Sequence, residues 1–220
     1  MKKPVILCVF VLAALCFTAA ESGDERFCPL YAGQEWTYSF FSKRENVQKD
    51  DLHTYIKKNR MFRGTLCQVY ESPSKALYLY LYSDTAGVYV KGATVSMPLL
   101  GFINIDIEFK PPAQGLKFPL RQGDKWHYEG IASATTCAFI QIDTKVSGDI
   151  GITGIEKVEA YGVTYTAWHI SGSASRTWGA EKPIKGECWL VDGKGIIRGE
   201  TANTRIELKE YKYEAEAVKK

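Results

Sequence analysis

Histidine is scarce in this chain: His53, His127 and His169 are the only three in 220 residues. The signatures of common enzyme classes are missing as well. No Gly-x-Ser-x-Gly elbow occurs, and Gly172-Ser173-Ala174-Ser175-Arg176 shares only its composition. There is no His-Glu-x-x-His pair, no Gly-Lys-Ser/Thr phosphate cradle and no EF-hand loop, and Gly193-x-Gly195-x-x-x-Gly199 is off the dinucleotide pattern. An excess of one charge is lacking too. With 28 basic against 25 acidic residues, the overall balance gives no support for nucleic acid or an anionic membrane as partner. Beyond residue 20 no apolar run reaches spanning length. The most apolar stretch, 97–107, carries Asn104 and Asp106, so no transmembrane segment is expected in the mature chain.

The first twenty residues are different. Lys2 and Lys3 precede an apolar run over 5–16, and Thr18-Ala19-Ala20 follows with small residues. That is the layout of a secretory signal peptide, with cleavage expected after Ala20. Cys16 follows Leu15 and Cys8 follows Leu7, neither of which resembles a lipoprotein cleavage box. The expected product is an exported protein, periplasmic or extracellular, of 200 residues and a formal charge of about +1.

Export leaves four cysteines, Cys28, Cys67, Cys137 and Cys188. An even number in an oxidising compartment is read as two disulfides, with three connectivities open. Two cysteines fall in each half of the chain, which favours Cys28–Cys67 and Cys137–Cys188. Each bridge would contribute about 3–4 kcal/mol in the chain-entropy model. No two of the four have zinc-site spacing, so no metal or other cofactor is expected.

What is present in force is a repeat and an alternation. Pro29-Leu30-Tyr31-Ala32-Gly33-Gln34-Glu35-Trp36-Thr37-Tyr38 returns as Pro119-Leu120-Arg121-Gln122-Gly123-Asp124-Lys125-Trp126-His127-Tyr128, with Pro-Leu-x-x-Gly-x-x-Trp-x-Tyr in register. In each copy Gly suits a turn, and Trp and Tyr suit the core face of the strand that follows. Both Trp36 and Trp126 are therefore expected to be buried at equivalent positions. Period-two patterning recurs, most clearly in Leu77-Tyr78-Leu79-Tyr80-Leu81-Tyr82 and over 103–110. Strands are also expected over 35–42, 52–62, 66–71, 88–90, 125–131, 136–146, 150–159, 163–173, 187–191, 196–197 and 204–217. The last carries a phase slip, and so a bulge, near Lys209 and Glu210. Pro111-Pro112 should end a strand, and 111–118 forms a junction. The fold class expected is all-β: an antiparallel sandwich, barrel or half-barrel built from two related units, 21–110 and 111–220, as one body or in tandem.

The repeated openings, each followed by an Asp-x-x-Gly-Val/Ile hairpin (Asp84 to Val88, Asp192 to Ile196), resemble poorly characterised exported bacterial β-proteins and lipoproteins. More loosely, the layout is similar to the half-barrels of periplasmic lipoprotein and lipid carriers. The resemblance implies a fold more than a function.

For a site, the tyrosines say more than the histidines. If Leu77, Leu79 and Leu81 face a core, then Tyr78, Tyr80 and Tyr82 face away from it. There they either line a ligand site, for which broad rings with polar tips are suited, or pack beneath a second sheet. The apolar loop 97–102 would then be a lid or core filling. His127 and His169 each follow a Trp and could converge with Asp124, Asp143 or Asp192 as a metal or acid–base site, but solvated histidines are the commoner case. The reading favoured is an exported, non-enzymatic binding protein of the cell envelope for an apolar or amphipathic small molecule. Its alternatives are a structural or assembly component contacting envelope proteins, and a hydrolase-like enzyme with a histidine-centred site.

Overall fold

A computed structural model of the chain describes residues 32–73, 76–97, 103–135, 140–176 and 182–213. Among them run twelve strands: β1 (Gln34–Ser42), β2 (Val47–Phe62), β3 (Thr65–Ser72), β4 (Leu77–Asp84), β5 (Gly87–Met97) and β6 (Ile103–Lys117), then β7 (Lys125–Thr135), β8 (Gln141–Ala160), β9 (Val163–Arg176), β10 (Ile184–Val191), β11 (Gly195–Thr201) and β12 (Thr204–Tyr213). Each pairs antiparallel with its predecessor, and β12 returns to β1, closing a barrel. The all-β expectation holds, while the sandwich and half-barrel alternatives fall. Tyr38 of β1 faces Leu208 of β12 on one side and Leu52 of β2 on the other, so β1 has no free edge. Closure removes the unpaired N–H and C=O groups that an open sheet would present.

One core fills the barrel. Trp36, Tyr38, Leu79, Leu116, Ile170, Leu190 and Leu208, from both expected units, belong to a single buried cluster. The segments 21–110 and 111–220 are therefore not separate bodies. Nor does 111–118 form a junction, because β6 runs through it to Lys117. Val90 faces Ala113 and Gly92 faces Glu108, so 109–112 is surplus length on β6. Pro111 and Pro112 sit where the ladder skips, which is where a residue without an N–H is tolerated.

The repeated motif builds the same local turn twice. Gly33 and Gly123 have φ of 91° and 87°, in the region where glycine is favoured. The Gly33 amide donates to the Ile56 carbonyl and the Gly123 amide to the Ile152 carbonyl, each at 2.8 Å. Beyond the turn the copies diverge. Trp36 is 3% exposed, and its indole donates to the Lys194 carbonyl at 2.8 Å. Trp126 is only half-buried, because pairing of β6 with β7 ends at Lys110 and Ile131. In the gap beyond, the Trp126 indole donates to the Gln114 carbonyl (3.0 Å) and the Tyr128 hydroxyl to the Pro111 carbonyl (2.8 Å).

Two further details bear on the sequence reading. The slip expected near Lys209 is present: Thr37 faces Glu210 while Tyr38 faces Leu208, leaving Lys209 as the extra residue. Gly148, in the break between the strands expected over 136–146 and 150–159, lies instead within the unbroken 20-residue β8. A Cβ there would meet the Ser173 carbonyl oxygen at 2.6 Å, so its role is to admit a close strand. Residues 214–217, and with them the end of the expected last strand, lie outside the described residues.

The different burial of the two tryptophans sets an expectation for stability. Trp36→Ala should cost about 3–5 kcal/mol in urea unfolding, as large-to-small core changes do. Trp126→Ala should cost less than half as much. Equal losses would contradict the unequal burial described above.

Candidate functional site

The strand β4 divides its side chains as its alternation requires. Leu77, Leu79 and Leu81 are buried in the barrel core. Tyr78, Tyr80 and Tyr82 lie on the outer face with Phe62, Cys67 and Val69 in a second, smaller cluster. This outer cluster exists because the β2–β3 hairpin curls back. The Phe62 ring stacks on Tyr80 at 3.9 Å and 13°. Gly92 makes room for it, since a Cβ there would meet Phe62 at 2.5 Å and the Ile107 carbonyl oxygen at 2.3 Å.

A cleft of about 490 Å³ opens beside that stack. Tyr78 and Tyr80 line it, with Arg60 and Arg63 from the hairpin and Thr94 and Asp106 from β5 and β6. Thr94 Oγ1 donates to Asp106 Oδ1 at 2.6 Å, so the Tyr80 hydroxyl, 3.1 Å away, donates to Thr94. The cleft thus combines aromatic faces, two guanidinium groups and a carboxylate fixed by a hydroxyl relay. Tyr82 does not line it; that ring stacks on Tyr89 at 5.0 Å and 13°. The apolar loop 97–102 beside this region lies outside the described residues, apart from the backbone of Met97.

Phe62, Arg60, Arg63 and Thr94 were not singled out by sequence. Position 62 alternates like any strand residue, and nothing local says that the hairpin folds outward over β4. Asp106 was visible as an outward residue of an alternating strand, but not its relay.

Beside the cleft lies an ion network. Burial works against the Glu108 carboxylate, yet Lys91 at 2.9 Å and Lys110 at 3.3 Å outweigh it and hold its carboxyl below the usual value.

The expected bridge Cys28–Cys67 is not found: Cys67 is a buried free thiol whose Sγ donates to the Thr65 carbonyl at 3.6 Å. Burial pushes it up to about 11, against the pull of Lys91. Cys188 is buried in the barrel core on β10, on the other side of the wall from Cys67. Cys28 and Cys137 lie outside the described residues.

The histidines do not converge. His53 contacts Thr37 at 3.1 Å. His127 Nδ1 lies 2.8 Å from Asp149 Oδ1, to whose other oxygen the Ser173 hydroxyl donates at 3.5 Å. This pair lies on a second, open cleft of about 810 Å³ with Lys125, Lys185 and Glu200. His169 belongs elsewhere, facing Trp189 rather than Asp149. It is four residues along β9 from Ser173, about 13 Å at strand rise. It stacks on Trp189 at 4.7 Å between Glu156 (3.3 Å) and Glu187 (3.7 Å). The acidic neighbours of His127 and His169 are thus Asp149, Glu156 and Glu187, not Asp124, Asp143 or Asp192, and among the described residues no group of three or more metal-ligating side chains is assembled.

No family model and no curated protein matches the chain. Among solved structures it is similar to a candidate lipoprotein from Parabacteroides distasonis, with 12% identity over 87% of this chain and 100% of that one and a TM-score of 0.49. A candidate exported protein with a YmcC-like fold from Bacteroides fragilis gives 14% identity over 85% and 99%, with a TM-score of 0.45. The hypothetical lipoprotein YmcC of Escherichia coli gives 10% identity over 98% and 100%, with a TM-score of 0.42. At these identities and scores the likenesses bear on neither ligand nor activity.

Two outcomes follow from the site. At about pH 8 an ordinary thiol is reactive, but Cys67 should resist alkylation in the native protein and react once the chain is unfolded. Peptide mapping that finds it labelled in the native state would contradict the seal formed by Phe62 and Tyr80. Glu108 titrates lower folded than unfolded, so its stabilisation is present above the ordinary glutamate range and is lost as pH falls through the lowered value. Glu108→Gln should therefore melt below the natural protein at neutral pH, with the gap closing below about pH 4.5. A gap independent of pH would assign the loss to packing instead.

Proposed function

We propose that the chain is an exported, non-enzymatic binding protein of the cell envelope that holds an amphipathic small molecule in the cleft over Tyr78 and Tyr80. Export rests on the N-terminal sequence, with Lys2 and Lys3 before an apolar run and Thr18-Ala19-Ala20 after it. The ligand reading rests on one observation. Tyr78 is half-buried and Tyr80, buried beneath Phe62, borders the same cleft of about 490 Å³, with Arg60 and Arg63 at its margin. Aromatic faces take the apolar part of a ligand, while guanidinium groups and hydroxyls orient its polar part. Arginine suits a carboxylate or phosphate because its fork matches two oxygens at once.

Native mass spectrometry of the protein purified from its own host tests this directly. A co-purifying small molecule is expected. Its occupancy should fall at least about tenfold in Tyr78→Ala, an aromatic anchor of the cleft. Tyr78 is half-buried and outside the barrel core, so the variant should keep its circular dichroism. Bare protein mass under gentle extraction, together with no uptake of added anionic amphiphiles, would overturn the reading.

A further inference from the structure

The β2–β3 hairpin has two faces with opposite fates. β2 pairs with β1 only as far as Ile56, and β3 pairs with β4 only from Gln68, so residues 59–67 project beyond the barrel ladder. Arg63 and Gly64 close the tip with φ of 47° and 79°, the backbone of a tight two-residue hairpin turn. A Cβ on Gly64 would meet nothing within 4 Å, so that side of the tip is open. One face of the hairpin is held down by Phe62 and Cys67 on Tyr80. Neighbouring residues in a strand point oppositely, so anchoring Phe62 inward turns Met61 outward.

Met61 and Leu66 are 60% and 58% exposed, the highest values among the large apolar side chains described. They face each other across the hairpin, so they form one patch and not two isolated residues. A fixed apolar pair at a projecting tip is a poor arrangement for a side with no partner. The charge carried by the hairpin's own sequence is of one sign. From Leu52 to Tyr70 the sequence carries Lys57, Lys58, Arg60 and Arg63 and no Asp or Glu, in a chain with 25 acidic residues. The near-neutral overall balance conceals this concentration.

We propose that the tip of the β2–β3 hairpin is a docking element for an anionic lipid bilayer, with Met61 and Leu66 entering the headgroup layer and the basic residues of the same segment drawn to the lipid phosphates. Apolar side chains ringed by Lys and Arg form the combination that holds a protein at a bilayer surface without spanning it. Each basic residue near an anionic surface is worth about fivefold in partitioning. The inference goes beyond the ligand reading but shares Arg60, Met61 and Arg63 with the margin of the cleft, so the two are told apart by what is bound, a bilayer or a co-purifying small molecule.

Co-sedimentation of the exported protein with phosphatidylglycerol/phosphatidylcholine vesicles, against pure phosphatidylcholine vesicles, tests the inference. Binding to the anionic vesicles alone is expected, falling as salt is raised to about 0.5 M. Met61→Ser/Leu66→Ser should weaken it about tenfold or more, and Arg60→Gln/Arg63→Gln about twenty-five-fold. Both double variants alter exposed positions, and unchanged melting shows that they fold. No partition into anionic vesicles, or partition unchanged by both variants, overturns the proposal. Because vesicle binding is read without any cleft ligand, its failure is separable from loss of the co-purifying molecule.

Discussion

Pairing of β1 on both of its edges is the constraint on which the rest of this molecule depends. Its two partners come from opposite ends of the described chain: β2 follows it directly, while β12 is the last strand. Two inward side chains of β1 reinforce the closure by reaching past β12. The Trp36 indole donates to the Lys194 carbonyl and the Tyr38 hydroxyl to the Ile196 carbonyl. Tyr70 and Tyr211 flank Trp36 at 6.1 Å and 5.7 Å between ring centroids. A closed sheet must accept whatever local irregularity its register requires, and it does so at Lys209 on β12 and around Pro111 on β6.

Closure also bears on why the proposed binding surface is outside. Side chains pointing inward from strands all round the barrel share one packed core, Leu77, Leu79 and Leu81 among them. The proposed recognition falls to the outer wall, where hairpins longer than their neighbours can fold back. The β2–β3 hairpin does this through Phe62, and its return creates both the cleft over Tyr78 and Tyr80 and the exposed Met61–Leu66 face. Two surfaces of different chemistry thus arise from one bend. The β8–β9 hairpin makes a comparable return: the Trp189 indole donates to Glu156 and an Arg198 guanidinium N–H to the Glu159 carbonyl, tying its outer end to β10 and β11.

Much of the strand content was legible because alternation is a local property. The Leu/Tyr pattern of β4 assigned both faces of that strand correctly, and the phase slip near Lys209 located a bulge before any partner was known. The glycines of the two Pro-Leu-x-x-Gly-x-x-Trp-x-Tyr copies do occupy equivalent turns. Less legible was anything that depends on what lies across the ladder. Pro111-Pro112 reads as a terminator unless β5 is known to run past it, and Gly148 reads as a turn unless β9 is known to press against it. The histidines were an ambiguity of the same kind. Their separation follows from the register of β7, β8 and β9, which no single segment contains.

By itself the sequence determined the class of the protein and the two faces of its clearest strands, because a two-residue period sorts side chains without reference to partners. It also set the chemistry available on the outer face: tyrosines on β4 and an acid-free basic stretch from Leu52 to Tyr70. Only the tertiary structure decided that the sheet closes, that the two segments share one core, and that Phe62 folds onto Tyr80 with Met61 left facing solvent. Those outcomes rest on contacts between residues far apart in the chain, such as Trp36 with Lys194, whose geometry is set by register and twist rather than by local pattern.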